Sequence, residues 1–404
     1  MRGWRQLRFA SSATGLVGLP NVGKSTLFNA LTQSQQALAA NYPFATIDAN
    51  RTEVDVPDQR LKQLAQVYKS GKIIPSTLEF VDIAGLVKGA SQGAGLGNKF
   101  LADIRGVQVV LQVLRCYEKE DIIHVETTVD PLRDQQIVAS ELLLADLQSA
   151  EKQLSTLSGG KKKPQTADQL LRQSVLTKCV ESLENEVPLR QLLPLLDADE
   201  AKLLRQLQFL TAKPTLYVCN VDEDSVADDG ASNKHVCAVR DFVLQEALQQ
   251  LDPEHEDYEL HKQQAEQRAR DSVTVVCAAL EAEVAILEDE EERNAFLEAA
   301  GASETGLERV VAKCKSLLNM SNFYTCGPME ARSWLVRSGS TAPEAAGRIH
   351  SDLQAGFVKA DVWRPEDIIA LGSEDAVRQQ GKVTLAGSSY VVQDGDIMLI
   401  RHRN

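Results

Sequence analysis

The 404-residue sequence contains no C-x-x-C pair, and its seven cysteines, at 116, 179, 219, 237, 277, 314 and 326, do not combine with its six histidines at metal-ligand spacing. A zinc site or a dithiol redox centre therefore has no sequence support. The cysteine count is odd and several lie in apolar strands, so reduced core thiols are expected. Long hydrophobic runs are also missing. Val107 to Leu114 is among the longest, and it is too short and too interrupted to cross a bilayer, so no membrane span is expected. Positive charge is in deficit: 43 Lys and Arg face 57 Asp and Glu, a formal net charge of -14. That balance argues against nonspecific nucleic-acid binding by the whole surface. Local basic patches stay open, at Lys161, Lys162 and Lys163 and at Arg332, Arg337, Arg348 and Lys359, although a solvated loop is the ordinary explanation of a lysine run. Acidic residues are absent before Asp48. Arg2, Arg5 and Arg8 alternate there with apolar residues at helical spacing, which reads as either a mitochondrial presequence or a disordered basic tail.

What is present points to phosphate chemistry. Gly18-Leu19-Pro20-Asn21-Val22-Gly23-Lys24-Ser25 fits G-x-x-x-x-G-K-[ST], after an apolar strand end at Gly15 to Val17 and before a helix start at Thr26 to Leu31. The two glycines permit a tight turn whose N–H groups converge on phosphates, Lys24 adds positive charge near the β and γ phosphates, and Ser25 offers a hydroxyl to Mg2+. A Gly-rich turn before a helix is the bland alternative. Three further segments argue against it. Glu79 to Gly85 is an apolar strand ending in Asp82-x-x-Gly85, where the Asp supports the Mg2+ shell through water and the Gly N–H senses the γ-phosphate. Thr46, between the first helix and the next strand, is placed to ligate Mg2+ when a triphosphate is present. The strand Thr215 to Cys219 runs into Asn220-Val221-Asp222-Glu223, where GTPases carry Asn-Lys-x-Asp. Glu223 is one methylene too long for the bidentate guanine contact, so guanine specificity is expected to be lost or relaxed. Val276 to Ala279 completes the expected base pocket.

At these motifs the chain resembles the YchF/Obg-like ATPase family of P-loop proteins, over nearly all of its length. The Gly-rich run Asp82 to Asn98 carries the resemblance most specifically, with Asn41 to Thr46, Ile122 to Val125, the Asn220 to Glu223 motif and the C-terminal module. The resemblance implies a P-loop NTPase of Ras-like α/β fold that hydrolyses ATP in preference to GTP and acts as a switch on the ribosome, with ribosomal RNA as a partner. It implies Mg2+, with K+ as a further candidate, a cytoplasmic location (mitochondrial if residues 1–12 are a presequence), and a monomer. Leu86 stands where Ras-like enzymes place a water-orienting Gln. Intrinsic turnover should therefore be slow. Asn21 resembles a K+-ligating residue of related proteins that lack the Gln, and His124 corresponds to a His that the family uses to position water. A satisfied, half-buried imidazole is the bland reading of His124. The resulting expectation is catalysis by His124, Asn21 and Lys24; nucleotide contact by Asn21, Val22, Gly23, Lys24, Ser25, Thr26, Gly85, Asn220, Val221, Glu223, Cys277 and Ala278; and metal contact by Ser25, Thr46 and, through water, Asp82. The alternatives are a GTPase of the same fold and a non-catalytic ribosome- or RNA-binding protein with a structural nucleotide.

Strand and helix patterns alternate from Thr14 to Glu126, as in a parallel sheet covered on both faces. Leucine-rich helical spacing then dominates to about residue 210 and breaks at Ser158 to Pro164, which predicts an inserted helical hairpin. Leu318 onward reads as short strands and turns around a helix with Pro343 in its first turn. This module looks like the β-grasp unit called TGS. The expected organisation is an extension at 1–12, a discontinuous nucleotide-binding domain at 13–136 and 211–300, a helical insertion at 137–210 and a TGS module at 318–404.

Overall fold

The computed structural model describes residues 13–39, 50–84, 95–119, 124–158, 166–249, 251, 253–254, 257–287 and 289–403. Thr46, Gly85, the extension 1–12, most of the Gly-rich run and the lysines 161–163 lie outside the described residues. Among the described residues the strands are β1 (Ala13–Val17), β2 (Arg51–Asp55), β3 (Ile73–Ile74), β4 (Thr77–Asp82), β5 (Val109–Arg115), β6 (Thr215–Asn220), β7 (Val273–Val276), β8 (Met320–Cys326), β9 (Ala331–Arg337), β10 (Phe357–Trp363), β11 (Thr384–Ala386) and β12 (Ile397–His402). The chain divides into two compact units, 1–52 with 79–313, and 53–78 with 314–404.

In the first unit the sheet runs β4-β1-β5-β6-β7 in parallel, with β2 beyond β4. Every residue of β1, β5 and β7 is buried, as expected of strands packed on both faces. The register pairs Leu16 with Asp82 and Val17 with Gln112, and Asn220 with both Arg115 and Val276. Val17, Asp82, Arg115, Asn220 and Val276 therefore finish at one edge of the sheet, where open α/β folds bind ligands.

The leucine pattern forms the predicted hairpin. Helices Pro131–Ser158 and Ala167–Glu184 pack around Ala150, Val175, Leu176, Cys179 and Leu183, and the second opens on a capping box between Thr166 and Gln169. The first helix begins at Pro131, before the expected boundary at 137. At the hairpin's return, Asp146 accepts from Leu210 N (2.9 Å), Thr211 N (2.7 Å) and Thr211 Oγ1 (2.7 Å), tying the helix to the chain that enters β6. All seven cysteines are free; five are buried, and Cys237 and Cys326 are half-buried. Burial pushes the Cys179 thiol up to about 12.

The second unit holds a mixed sheet, β11-β10-β12-β8-β9-β3. Helix Ala342–Ile349, with Pro343 in its first turn and a Thr341–Glu344 capping box, covers one face over Phe323, Val336, Ala360, Val362 and Met398. Asp394-Gly395, a residue pair suited to a tight turn, forms one before β12, with Gly395 at φ 96. One assignment changes. Residues 53–78, expected within the nucleotide-binding domain, belong to this unit: Leu61, Leu64 and Ala65 pack with Tyr324, Ala331 and Trp363, and β3 pairs with β9. Asp58 both caps the helix Gln59–Tyr68 and accepts from Asn322 Nδ2 (2.7 Å) and the Tyr324 hydroxyl. Tertiary pairing to partners more than 250 residues away outweighs sequence proximity here.

Candidate nucleotide site

Val17 ends β1 and Lys24 begins a helix, so residues 18–23 connect a buried strand to a helix N-terminus. First-turn N–H groups there are available to an anion. Asn21 and Gly23 have φ of 63 and 96. A side chain at Gly23 would run into the Asn220 amide, so glycine is required both for the conformation and for the close approach. Lys24 is 9% exposed, and its ammonium pairs with the carboxylate of Asp82 at the end of β4. Asn21, Ser25 and Thr26 are exposed, and Val22 is buried.

Asn220 is 4% exposed and spends its amide on two loops. Its Nδ2 donates to Val22 O (2.9 Å), and its Oδ1 accepts from Ala278 N (3.0 Å). The phosphate loop and the loop after β7 are thus fastened by one side chain. Val221 and Cys277, expected against the base, bury their side chains in a core cluster with Cys219, Val236 and Leu280. The cause is strand geometry: a residue following a buried parallel strand points inward as readily as toward a ligand. Glu223 is exposed and opens a short 3-10 turn, Glu223–Ser225, whose cap Asp222 accepts from Ser225 N (3.3 Å) and Oγ (2.6 Å).

The strand end beside this site is held by Arg115. Its guanidinium is buried, donates to the carbonyls of Tyr117 and Lys119 (both 3.1 Å) and lies 4.7 Å over the Tyr117 ring. Beyond it, His124 is buried and both ring nitrogens are engaged, Nε2 with Asp134 Oδ2 at 2.8 Å and Nδ1 with Glu126 N at 3.1 Å. This arrangement matches the bland reading, a satisfied imidazole. Asp134 went unnoticed in the sequence because an acid in a helix first turn is ordinary.

The site thus brings together Gly23, Lys24, Asp82, Asn220 and Ala278. Its oxygen donors, the Ser25 hydroxyl and the Asp82 carboxylate, have the hard chemistry that suits Mg2+. Of the candidate basic residues in the second unit, Arg332 and Arg337 lie on β9 and Lys359 lies apart from them. Arg332 lies over Trp334, Arg348 donates to Leu335 O (2.9 Å), and Lys359 on β10 is separated from β9 by β12 and β8.

Comparison with known proteins agrees with this geometry. A family model described as a 50S ribosome-binding GTPase matches residues 13–145, and the C-terminal YchF GTPase model, described as a protein of unknown function, matches residues 320–403. The ribosome-binding ATPase YchF of Bacillus subtilis is 42% identical over 96% of this chain and 98% of its own length. The Obg-like ATPase homolog of Saccharomyces cerevisiae is 38% identical over 96% and 94%. The solved structure of the Schizosaccharomyces pombe YchF GTPase superposes with a TM-score of 0.81 at 34% identity, covering 97% of this chain and 98% of that one. With full-length relatives, both halves matched and the phosphate loop assembled on the expected sheet edge, the chain belongs to the YchF family.

Proposed function

We propose that the protein binds ATP in preference to GTP, hydrolyses it slowly, and uses the bound nucleotide as a switch on the ribosome. The observation that carries the base preference is the Asn220 to Glu223 turn. Asp222 is occupied as a cap and Glu223 is an exposed, over-long carboxylate, so neither is set as the paired acceptor that guanine needs. The names of the relatives divide between ATPase and GTPase. Ribosome binding rests on those names and on the description of the N-terminal family model.

In this reading the backbone of Asn21 to Gly23 and the side chains of Lys24 and Thr26 hold the phosphates, and Ser25, Thr46 and Asp82 serve Mg2+, which neutralises phosphate charge when bound. Lys24 must exchange Asp82 for phosphate oxygens as nucleotide enters. K+ near Asn21 and a TGS-type role for the second unit's sheet belong to the same proposal. His124 orients the water whose oxygen bonds to the γ-phosphorus while the bond to the bridging oxygen breaks. The test is calorimetric titration of nucleotide-free protein with ATP and with GTP, in Mg2+ and potassium buffer. Tighter ATP binding is expected; equal or tighter GTP binding would overturn the base reading and make the protein a GTPase of the same fold.

A further inference from the structure

His124 and Asp134 are ten residues apart, and Asp134 lies in the first turn of the helix that opens the hairpin. Their side chains are 2% and 1% exposed. The ring nitrogen Nδ1 accepts a backbone N–H from Glu126, so it carries no proton. The proton of the neutral ring therefore sits on Nε2 and is donated to Asp134 Oδ2. The other carboxylate oxygen accepts from Arg133 at 3.2 Å. Arg133 in turn grips Thr128 through its hydroxyl (2.9 Å) and its carbonyl (2.6 Å). The segment that follows His124 is thus clamped onto the hairpin's first turn, and the imidazole has no nitrogen left for a water molecule.

We propose that Asp134 is a positioning residue that latches His124 in a resting state, and that hydrolysis requires the imidazole to part from it. The inference rests on the reading of His124 as the water-positioning group. Because Asp134 belongs to the hairpin, a partner that displaces the root of that helix acts on the latch without touching the nucleotide. An enzyme whose competent state is a minor population turns over at that fraction of its intrinsic rate.

The experiment compares steady-state ATP hydrolysis and ATP affinity in full-length wild type, H124A, D134A and the double variant, with thermal melts to screen folding. Removing a buried, charged hydrogen bond should raise kcat about tenfold in D134A at unchanged Kd for ATP. H124A should lower kcat, and the double variant should match H124A. If D134A melts early, D134N, of similar shape but uncharged, carries the same test with a smaller rise. Lowered or unchanged kcat in the Asp134 variants, with H124A impaired, would overturn the latch and leave His124 in its role. Normal turnover in H124A would remove the role of His124 and the latch together.

Discussion

Glu281 is the residue at which charge and burial conflict most plainly. It lies in the helix Ala278–Val284, which begins at the loop fastened by Asn220, and its Oε1 accepts the backbone N–H of Gly306 at 2.6 Å. Burial raises its carboxyl to about 7, more than the bonds from Gly306 and Leu307 can offset. A carboxyl raised above its unfolded value binds more protons in the folded state between the two pKa values. Its stabilising contribution is therefore complete below pH 4.5 and is lost as pH rises to about 7. E281Q keeps an acceptor for Gly306 without the charge. Wild type should lose up to about 3 kcal/mol relative to E281Q between pH 5 and pH 8, as the burial of one charge dictates. Parallel denaturant titrations across that range measure it, and identical pH slopes would mean that water reaches the carboxylate. Asn220 shows the limit of residue-level reading. Its place beside the base loop was legible in the motif, but its bonds to Val22 and Ala278 were not, because they join segments whose approach only the fold decides.

Elements were legible in proportion to how local their causes are. The phosphate loop, the helix after it, the Pro343 helix and the Asp394-Gly395 turn each follow from a few adjacent residues. The hairpin followed from leucine spacing. The migration of residues 53–78 to the second unit did not, since a helix with an apolar stripe fits any sheet face and only Asp58 with its distant partners Asn322 and Tyr324 selects one. Likewise a His and an Asp ten residues apart carry no sequence mark of contact. The hairpin also depends on Asp146, which satisfies two buried backbone N–H groups and one hydroxyl. D146A should lower stability by about 3 kcal/mol, because buried donors left without an acceptor cost more than a bond contributes. Chemical denaturation of the variant measures the loss. A cost within experimental error would show that solvent replaces the carboxylate and that the leucine core alone seats the hairpin.

For the whole molecule, the net charge of -14 means that a polyanionic partner is met by local patches rather than by a general field. On the second unit's sheet Lys359 and Arg401 are exposed register partners on β10 and β12, but Arg401 is paired with Asp361 at 2.6 Å, so the positive charge there is small. Few phosphate contacts give a shallow dependence of affinity on salt. A switch adds a second requirement: nucleotide can shift partner binding only as far as it binds the two states differently. Ribosome affinity measured with a non-hydrolysable ATP analogue, with ADP and without nucleotide should therefore differ between at least two of the three, by about tenfold for a coupling near 1.4 kcal/mol. The same titrations repeated with D134A locate the coupling. If the hairpin root carries it, that variant narrows the differences between nucleotide states; if it leaves them intact while raising turnover, the latch governs rate alone. Equal affinity in all three states of the wild type would make the nucleotide a structural ligand and its hydrolysis incidental to binding.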